Sequence, residues 1–528
     1  MLWGIWHWLE RRADISAGKA ALIDGERVLT YRRLRDRVAG LAGGLARLGV
    51  GRGDRTAVLS VNRAEYIEVI FAAAHVGAMV VPLNWRLTPA ELAFQVGDSE
   101  PKVLFVDPDL QPLAEGLREQ PEARSVQTIV AFDAGDGRPV WAQSYEALAQ
   151  SPGSIPTGRF EDPLLILYTS GTTGRPKGAV LAQATQLWNS INIGFAVSLT
   201  SADVTLNMLP MFHSGGIGLF TLPSLHVGAT AVLLRKFDPD TAVALIQRHG
   251  VTALFAVPAI YLDLLQNETF QRADLTRVRF SCGGAPCPLT IIEAFRDRGV
   301  LFQQGYGLTE TAPTLTLIPA PDAFRKIGSV GKASIHCELR VVDEEGQDVA
   351  PGGTGEVWTR GPNLFLGYWR RPDANAEVFV RPAEPVRPED GYSGWWFRTG
   401  DLARIDEEGF IYIVDRKKDM IISGGENIYP AEVEDALYRH PAIAEVAVIG
   451  VPDQRWGEVP KAIVALKPGH WLTYEDLRAF CEGKLARYKI PKSMAIVEAL
   501  PRNAAGKVLK RVLREQFVPG QPSAKGAS

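Results

Sequence analysis

Tyr168-Thr-Ser-Gly-Thr-Thr-Gly-Arg-Pro-Lys-Gly178 decides how the chain is read. It follows the apolar run Leu164 to Leu167, which suits a buried strand. Hydroxyls, glycines and a lysine then gather in one turn: Thr169, Ser170, Gly171, Thr172, Thr173, Gly174 and Lys177. Glycine lets backbone N–H groups converge on anionic oxygens, hydroxyls add donors, and lysine adds charge. That is the set a triphosphate requires. The G-x-x-x-x-G-K-[ST] spacing is absent, so this is not a Walker loop. A plain Gly/Ser/Thr linker seldom follows a buried strand directly or carries this ordered set.

Around this loop, up to about residue 310, short β-branched runs alternate with helical patterns. Arg55 to Ser60 reads as a strand, Glu65 to His75 as a helix, and Met79 to Leu83 as the next strand. Thr88-Pro-Ala-Glu91 is a capping box with proline at the first helical position, and its helix leads to a strand at Lys102 to Val106. The rhythm returns at Val204 to Leu209, Ala229 to Leu234 and Ala253 to Val257. Such alternation predicts an α/β fold of parallel sheets covered by helices. From about residue 325 short strands dominate: Glu338 to Asp343, Gly355 to Arg360 and Phe397 to Asp406. Asp343-Glu-Glu-Gly346 and Asp406-Glu-Glu-Gly409 are near-identical hairpin turns, so a small antiparallel unit is expected over about 325–417. A helix at Tyr429 to Tyr438, a strand at Ala444 to Ile449 and a helix at Tyr474 to Leu485 form a last, mixed piece. The expected division is therefore 1–417 and 418–518, with a disordered Pro/Gly/Ser/Ala-rich tail at 519–528.

Composition excludes several classes. The 528 residues carry a net charge of −3, so no basic excess points to nucleic acid. The four cysteines form no C-x-x-C pair and no histidine cluster has zinc spacing, which reads as buried thiols in a reducing, cytoplasmic setting. No apolar run is long enough to span a bilayer. The start, Met1-Leu-Trp-Gly-Ile-Trp-His-Trp8, lacks the basic region and cleavage site of a signal peptide. Trp3, Trp6 and Trp8 could touch a membrane surface, but the favoured reading is an amphipathic first helix packed on its own domain.

Three further motifs carry chemistry. In Gly305-Tyr-Gly-Leu-Thr-Glu310 the glycines Gly305 and Gly307 bring the backbone close to a ligand, and Tyr306 offers a ring to a base. Thr309 offers a hydroxyl and Glu310 a hard oxygen suited to magnesium. Trp395-Trp-Phe-Arg-Thr-Gly-Asp401, followed by Asp415-Arg416, pairs a carboxylate that can accept two ribose hydroxyls with an arginine for phosphate or sugar. Pro501-Arg-Asn-Ala-Ala-Gly-Lys507 places a lysine after a turn that could present it to a distant site.

Together the four motifs, in this order, resemble the adenylate-forming superfamily of acyl-CoA synthetases, luciferases and peptide-synthetase adenylation domains. The resemblance covers nearly the whole chain. It implies a large N-terminal domain of two helix-covered sheets and a small β-barrel, a small mobile α+β C-terminal domain, and a cleft between them. It implies that Thr169 to Lys177 hold phosphate and that Gly283, Gly284 and Ala285 lie beside adenine. Tyr306 would stack near the base, Thr309 touch the α-phosphate and Glu310 bind magnesium. Asp401 would hold the ribose, assisted by Arg416. Lys507 would bridge substrate carboxylate and α-phosphate, and Lys418 would be the hinge. ATP, Mg2+ and coenzyme A are the implied cofactors and co-substrate, and a homodimer is the common assembly.

Two features favour coenzyme A as acceptor. Ser423-Gly424-Gly425, opening the run to Pro430, resembles the segment lining the pantetheine channel of acyl-CoA synthetases. Met211-Phe-His213-Ser-Gly-Gly216 resembles their gate near the acyl pocket. His213, Gly215, Ile217, Gly218 and Tyr261 are the expected pocket residues, although His213 suits a satisfied core position as well. No arginine or lysine lies in 212–222, 257–261 or 307–314, which disfavours a second substrate carboxylate. A medium- or long-chain fatty acid is the expected substrate, with an aryl or cinnamic acid as the alternative. A luciferase-like or other non-CoA adenylating enzyme, or a non-catalytic binding protein, is the more distant reading.

Overall fold

In the segment AEYIEVIFAAAHV only two glutamates and a histidine interrupt the apolar residues. A helix with so little polar surface has no face for solvent and must lie inside. In the computed structural model, which describes residues 3–132, 137–169, 176–382, 392, 394–423, 426–502 and 507–518, all of Ala64–Val76 is buried. Beside it runs the helix Tyr31–Arg47, and one core joins both to two sheets. Val58, Val80 and Leu165 enter that core from one sheet, Leu22, Ala231 and Leu233 from the other. The buried carboxylates are paired: Arg63 Nε lies 2.7 Å from Glu65, and Arg37 Nε 2.7 Å from Glu68.

The first sheet has seven strands, in the order Gln143–Ser144, Thr128–Ala131, Val103–Val106, Arg55–Leu59, Met79–Leu83, Pro163–Thr169, Lys177–Ala182. All its pairs are parallel except the last, which is an antiparallel hairpin. The second has nine. Its parallel centre runs through Phe302–Tyr306, Arg279–Cys282, Ala253–Ala256, Val204–Asn207, Thr230–Leu233 and Ala20–Asp24. Antiparallel strands finish both ends: Arg27–Thr30 at one, Thr316–Leu317 and Lys332–Ala333 at the other.

A five-stranded antiparallel sheet follows, made of Glu338–Val342, Thr354–Arg360, Phe379–Val380, Trp396–Ile405 and Ile411–Arg416. Its two acidic turns are built alike. Asp343 Oδ1 accepts from the amides of Glu345 and Gln347, and Asp406 Oδ1 from those of Glu408 and Phe410. This unit's first strand is Glu338–Val342; ahead of it Gly331 bridges to Ile411 and Val330 joins the unit's core, while Lys332–Ala333 pairs into the nine-stranded sheet. The C-terminal sheet joins Ile421–Ser423, Glu426–Ile428, Ile443–Asp453, Gly457–Leu466 and Ser493–Val497. Alternation along its long hairpin fills two cores: Val446 and Val448 face one, Ala447 and Ile449 the other.

Most predicted element ends shift by one or two residues, and two shift further. The helix from Tyr474 stops at Cys481 instead of Leu485, with Gly483 at φ +78° just beyond. The strand expected to end at Ile449 runs to Asp453, because its partner supplies hydrogen bonds that far. At the start of the chain the helix Trp6–Ile15 packs inward through Ile5 and Leu9; Trp6 Nε1 donates to Gly158 O at 3.1 Å and Trp8 stacks on His226. Among the described residues no helix is long and apolar enough to cross a membrane. The expected tail, 519–528, lies outside the described residues.

Candidate active site

The phosphate-loop motif starts and ends in β structure. Thr169 closes one strand, Lys177 opens the next, and the two are register partners, with Thr169 Oγ1 donating to Lys177 O at 3.3 Å. The motif is therefore the connection of an antiparallel hairpin at a sheet edge. Ser170, Gly171, Thr172, Thr173 and Gly174 lie outside the described residues. Lys177 is buried, its Nζ 5.3 Å from the centre of the Tyr368 ring and 4.0 Å from Glu377. Tyr368 reaches it because residue 368 bridges to Ala179 across the sheet edge.

The Tyr368 hydroxyl donates to Glu310 Oε1 at 2.8 Å, so one ring serves both motifs. Glu310 sits in the short turn Thr309–Thr311 and is buried. Burial pushes its carboxyl pKa up, and the Tyr368 hydrogen bond opposes that. Beside it, Thr309 Oγ1 lies 3.3 Å from Ser214 Oγ. Tyr306, at the end of its strand, donates to Asp401 Oδ2 at 2.6 Å. Asp401 is the register partner of Arg416, whose Nε is 3.5 Å from Asp401 Oδ1. Gly283, followed by Gly284 and Ala285 after the strand Arg279–Cys282, packs on the second motif. A Cβ at Gly283 would stand 2.7 Å from Gly305 O, and one at Gly307 would overlap Pro313 O. Both positions need glycine for close approach.

Lys507 arrives from the opposite end of the chain. Burial pushes its amine down to about 8; Arg416 adds to that, while Asp401 and Asp419 pull the other way. The terminal lysine thus lies in the field of the Asp401–Arg416 pair. The turn before it, Asn503 to Gly506, lies outside the described residues. The helix after it, Lys510–Phe517, is pinned by a Lys510–Glu434 pair at 2.8 Å and an Arg514–Asp419 pair at 2.9 Å. The C-terminal piece touches the rest through two further carboxylates: Ala431 N donates to Asp415 Oδ2 at 3.0 Å, and Leu289 N to Asp435 Oδ1 at 3.3 Å.

Lys418 is exposed in the turn that joins Ile411–Arg416 to Ile421–Ser423. Ser423 is buried and pairs with Gly457, whereas Gly424 and Gly425 lie outside the described residues.

The expected acyl-pocket residues divide. His213 precedes the one-turn helix Ser214–Gly218, its ring 4.6 Å from Phe212. Burial, then Arg86, pushes its pKa down to about 4, so the ring is neutral, and Nε2 is a buried atom with no hydrogen-bond partner among the described residues. A Cβ at Gly215 would lie 3.2 Å from Leu209, and one at Gly218 would lie 2.6 Å from Ala312 O. Ile217 is fully buried in the central core. Tyr261 is a correction: its hydroxyl donates to Ser281 O at 2.7 Å and its ring packs on Phe295 and Phe302. It is a core residue, facing the sheet.

Tyr368 and Arg86 were not found from the sequence. Arg86 stacks over Trp85 at 4.9 Å and stands 5.9 Å from the Phe212 ring. It puts a cation beside a gate whose own segments contain none. No local signal marks either residue, since Tyr368 meets Glu310, and Arg86 meets Phe212, only when distant segments come together. Among the described residues no group of three or more His, Cys, Asp and Glu side chains could hold a metal ion.

Comparison with known proteins gives a consistent result. The AMP-binding enzyme family matches residues 9–369, and the AMP-binding enzyme C-terminal domain matches residues 432–507. A feruloyl-CoA synthase of Amycolatopsis sp is 40% identical, over 97% of this chain and 99% of that protein. An indoleacetate–CoA ligase of Aromatoleum aromaticum is 42% identical, over 96% of this chain and 97% of that protein. The structure of o-succinylbenzoate coenzyme A synthetase from Bacillus subtilis, in complex with ATP and magnesium ion, superposes with a TM-score of 0.82 at 32% identity, covering 96% of this chain and 99% of that one.

Proposed function

The chain belongs to the AMP-binding enzymes, and on that premise we propose that it joins an aryl-bearing carboxylic acid to coenzyme A through an acyl-adenylate made with ATP. One observation supports the adenylation step: Lys507, from the far end of the chain, is buried within the fields of Arg416 and Asp401, and that same Asp401 accepts from the Tyr306 hydroxyl. The carboxylate oxygen attacks the α-phosphorus, the bond to the β-phosphate breaks, and pyrophosphate leaves. Both reactants are anions, so the site must neutralise and align them. Lys507 would lie between them, Lys177 and the hairpin loop on the phosphate side, and Thr309 at the α-phosphate. Asp401, oriented by the Tyr306 hydroxyl, would accept from the ribose hydroxyls. Glu310 fits magnesium: it is a buried carboxylate whose charge is opposed by burial and which receives a hydrogen bond from Tyr368. Magnesium held there would neutralise charge on the phosphates. In the second step the coenzyme A sulfur attacks the acyl carbon, AMP leaves, and the thiol proton passes to solvent. Ser423 to Gly425 would line the thiol's route.

The feruloyl, indoleacetate and o-succinylbenzoate named in the three relatives above favour the aryl alternative over the fatty acid expected from sequence. Arg86 stands 5.9 Å from the Phe212 ring and lowers the pKa of His213, so the surroundings of these two residues are not purely apolar. The test is pyrophosphate release, with and without coenzyme A, across cinnamates, indoleacetate, benzoates, an aryl dicarboxylate and fatty acids from acetate to palmitate. Turnover with the aryl acids that requires coenzyme A is expected. Turnover with fatty acids alone overturns the aryl reading, and release indifferent to coenzyme A overturns the acceptor.

A further inference from the structure

We propose that two buried carboxamides, Asn363 and Asn189, are positioning residues that clamp the loop Gly307 to Thr314 and so set both Thr309–Glu310 and the acid gate. The loop cannot hold itself. Pro313 has no N–H, Ala312 sits at φ +67°, and no strand pairs with residues 307–314. Its internal bonds all lie before Pro313: Thr311 N donates to Leu308 O at 2.9 Å, Ala312 N to Thr309 O at 3.1 Å, and Thr311 Oγ1 accepts from Leu308 N at 2.9 Å; from outside, Phe365 N donates to Glu310 O at 2.9 Å. Its path past Pro313 depends on what grips it from outside.

Asn363 grips it from the antiparallel unit. Its Nδ2 donates to Thr311 O at 2.9 Å and to Thr314 O at 2.8 Å, the carbonyls on either side of Ala312–Pro313. Its Oδ1 accepts from Cys337 Sγ at 3.1 Å, so both amide hydrogens and the oxygen are used. Asn189 grips it from the helix Gln183–Ala196. Its Oδ1 accepts from Thr314 N at 3.1 Å, and its Nδ2 donates to Gly218 O at 2.6 Å. Gly218 ends the helix that begins at Ser214, whose hydroxyl meets Thr309. The gate helix is thus tied to the loop at both ends. Both asparagines are almost wholly buried, and in each the carboxamide oxygen and nitrogen are both hydrogen-bonded, which favours one geometry. Only a carboxamide supplies two donors and an acceptor at this size. A displacement of about 1 Å at a reacting centre can cost on the order of 10²-fold in rate.

The proposal rests on the adenylation reading for the roles of Thr309 and Glu310. The test uses the full chain carrying Asn363→Asp or Asn189→Asp. Each variant is melted, assayed for adenylation, and titrated with α,β-methylene-ATP at a series of magnesium concentrations. Asn363→Asp removes both donors to the loop. It is expected to raise the magnesium needed for half-maximal analogue binding about tenfold and to lower adenylation kcat about 10²-fold. Asn189→Asp keeps the acceptor for Thr314 N but loses the donor to Gly218 O. It is expected to raise the KM for the acid about tenfold and leave the magnesium requirement as in wild type. A purely structural role would lower activity only in proportion to the folded fraction, with KM and magnesium dependence unmoved, and that result overturns the proposal. So do variants that behave as wild type. If Asn363→Asp does not fold, Asn363→Ser, which keeps one donor, takes its place with the same criteria. Analogue binding needs no acid. A wild-type chain that binds the analogue but adenylates no aryl acid therefore sinks the substrate reading and leaves the magnesium titration to decide the clamp.

Discussion

Lys507 carries an acid–base consequence. Its amine is pushed down to about 8, chiefly by burial, so it is protonated below that pH and neutral above it. Its task between two anions requires the charge. The kcat/KM for adenylation, which reports the free enzyme, is therefore expected to fall as pH rises through about 8. Bound ATP raises the amine's pKa, so the decline in kcat should lie at higher pH. Lys507→Arg keeps a charge that cannot titrate in this range and should lose the alkaline limb, even at reduced rate. Pyrophosphate release between pH 6 and 10 decides it; a limb that persists in the arginine variant assigns the titration elsewhere. Tyr368→Phe tests a neighbouring residue. It leaves Glu310 Oε1 without its phenolic donor, a loss of about 1–3 kcal/mol for a buried group. The Glu310 pKa should rise further and magnesium affinity fall; unchanged magnesium dependence of ATP binding would show that Tyr368 only packs. The sequence singles out Lys507, Asp401 and Glu310 because each sits in a short motif of unusual composition. Tyr261 misled because the helix Pro258–Gln266 is apolar on more than one side, and sequence does not say which side meets the sheet.

At the scale of elements, the strand–helix alternation and the paired acidic turns were readable, since both follow from local periodicity and turn chemistry. Pairing partners were not. Nothing local says that Lys177–Ala182 folds back on Pro163–Thr169, or that Lys332–Ala333 joins the far sheet instead of the antiparallel unit. The hinge at Lys418 comes from the family resemblance, and residue 418 lies in a turn between two strands. Lys417 N donates to Gly400 O at 3.0 Å on one side, and Asp419 is held by Arg514 on the other, with exposed Lys418 between them. Lys418→Pro fixes φ at that one point. Adenylation, which uses the geometry in hand, is expected to stay within a few-fold of wild type. Thioester formation from a supplied aryl-adenylate should fall by at least about 10²-fold if the second step needs a rotated C-terminal piece. Equal rates in both half-reactions would remove Lys418 as the hinge.

The whole molecule brings together groups that the sequence holds far apart. The large part supplies Tyr306, Glu310, Asp401 and Arg416; the small part supplies Lys507, and a few bonds, such as those of Asp415 and Asp435, hold it there. A hydrogen bond to a carboxylate contributes about 1.5–3 kcal/mol, so each of these can be broken within a turnover. Two half-reactions can then use one cleft in succession, with Lys507 present for the first and absent for the second. Lys507→Ala separates them. It should abolish pyrophosphate release, by about 10²–10³-fold or more, because a charge facing the developing transition state is gone. The same protein, given a synthetic aryl-adenylate and coenzyme A, should form the thioester at a rate near wild type, because that step does not use the lysine. Rapid-quench measurement of both steps on one preparation makes the comparison internal. Equal loss of both would place Lys507 in the fabric of the cleft and not at the reacting carboxylate, and the docked geometry would then have to serve both reactions without rearrangement.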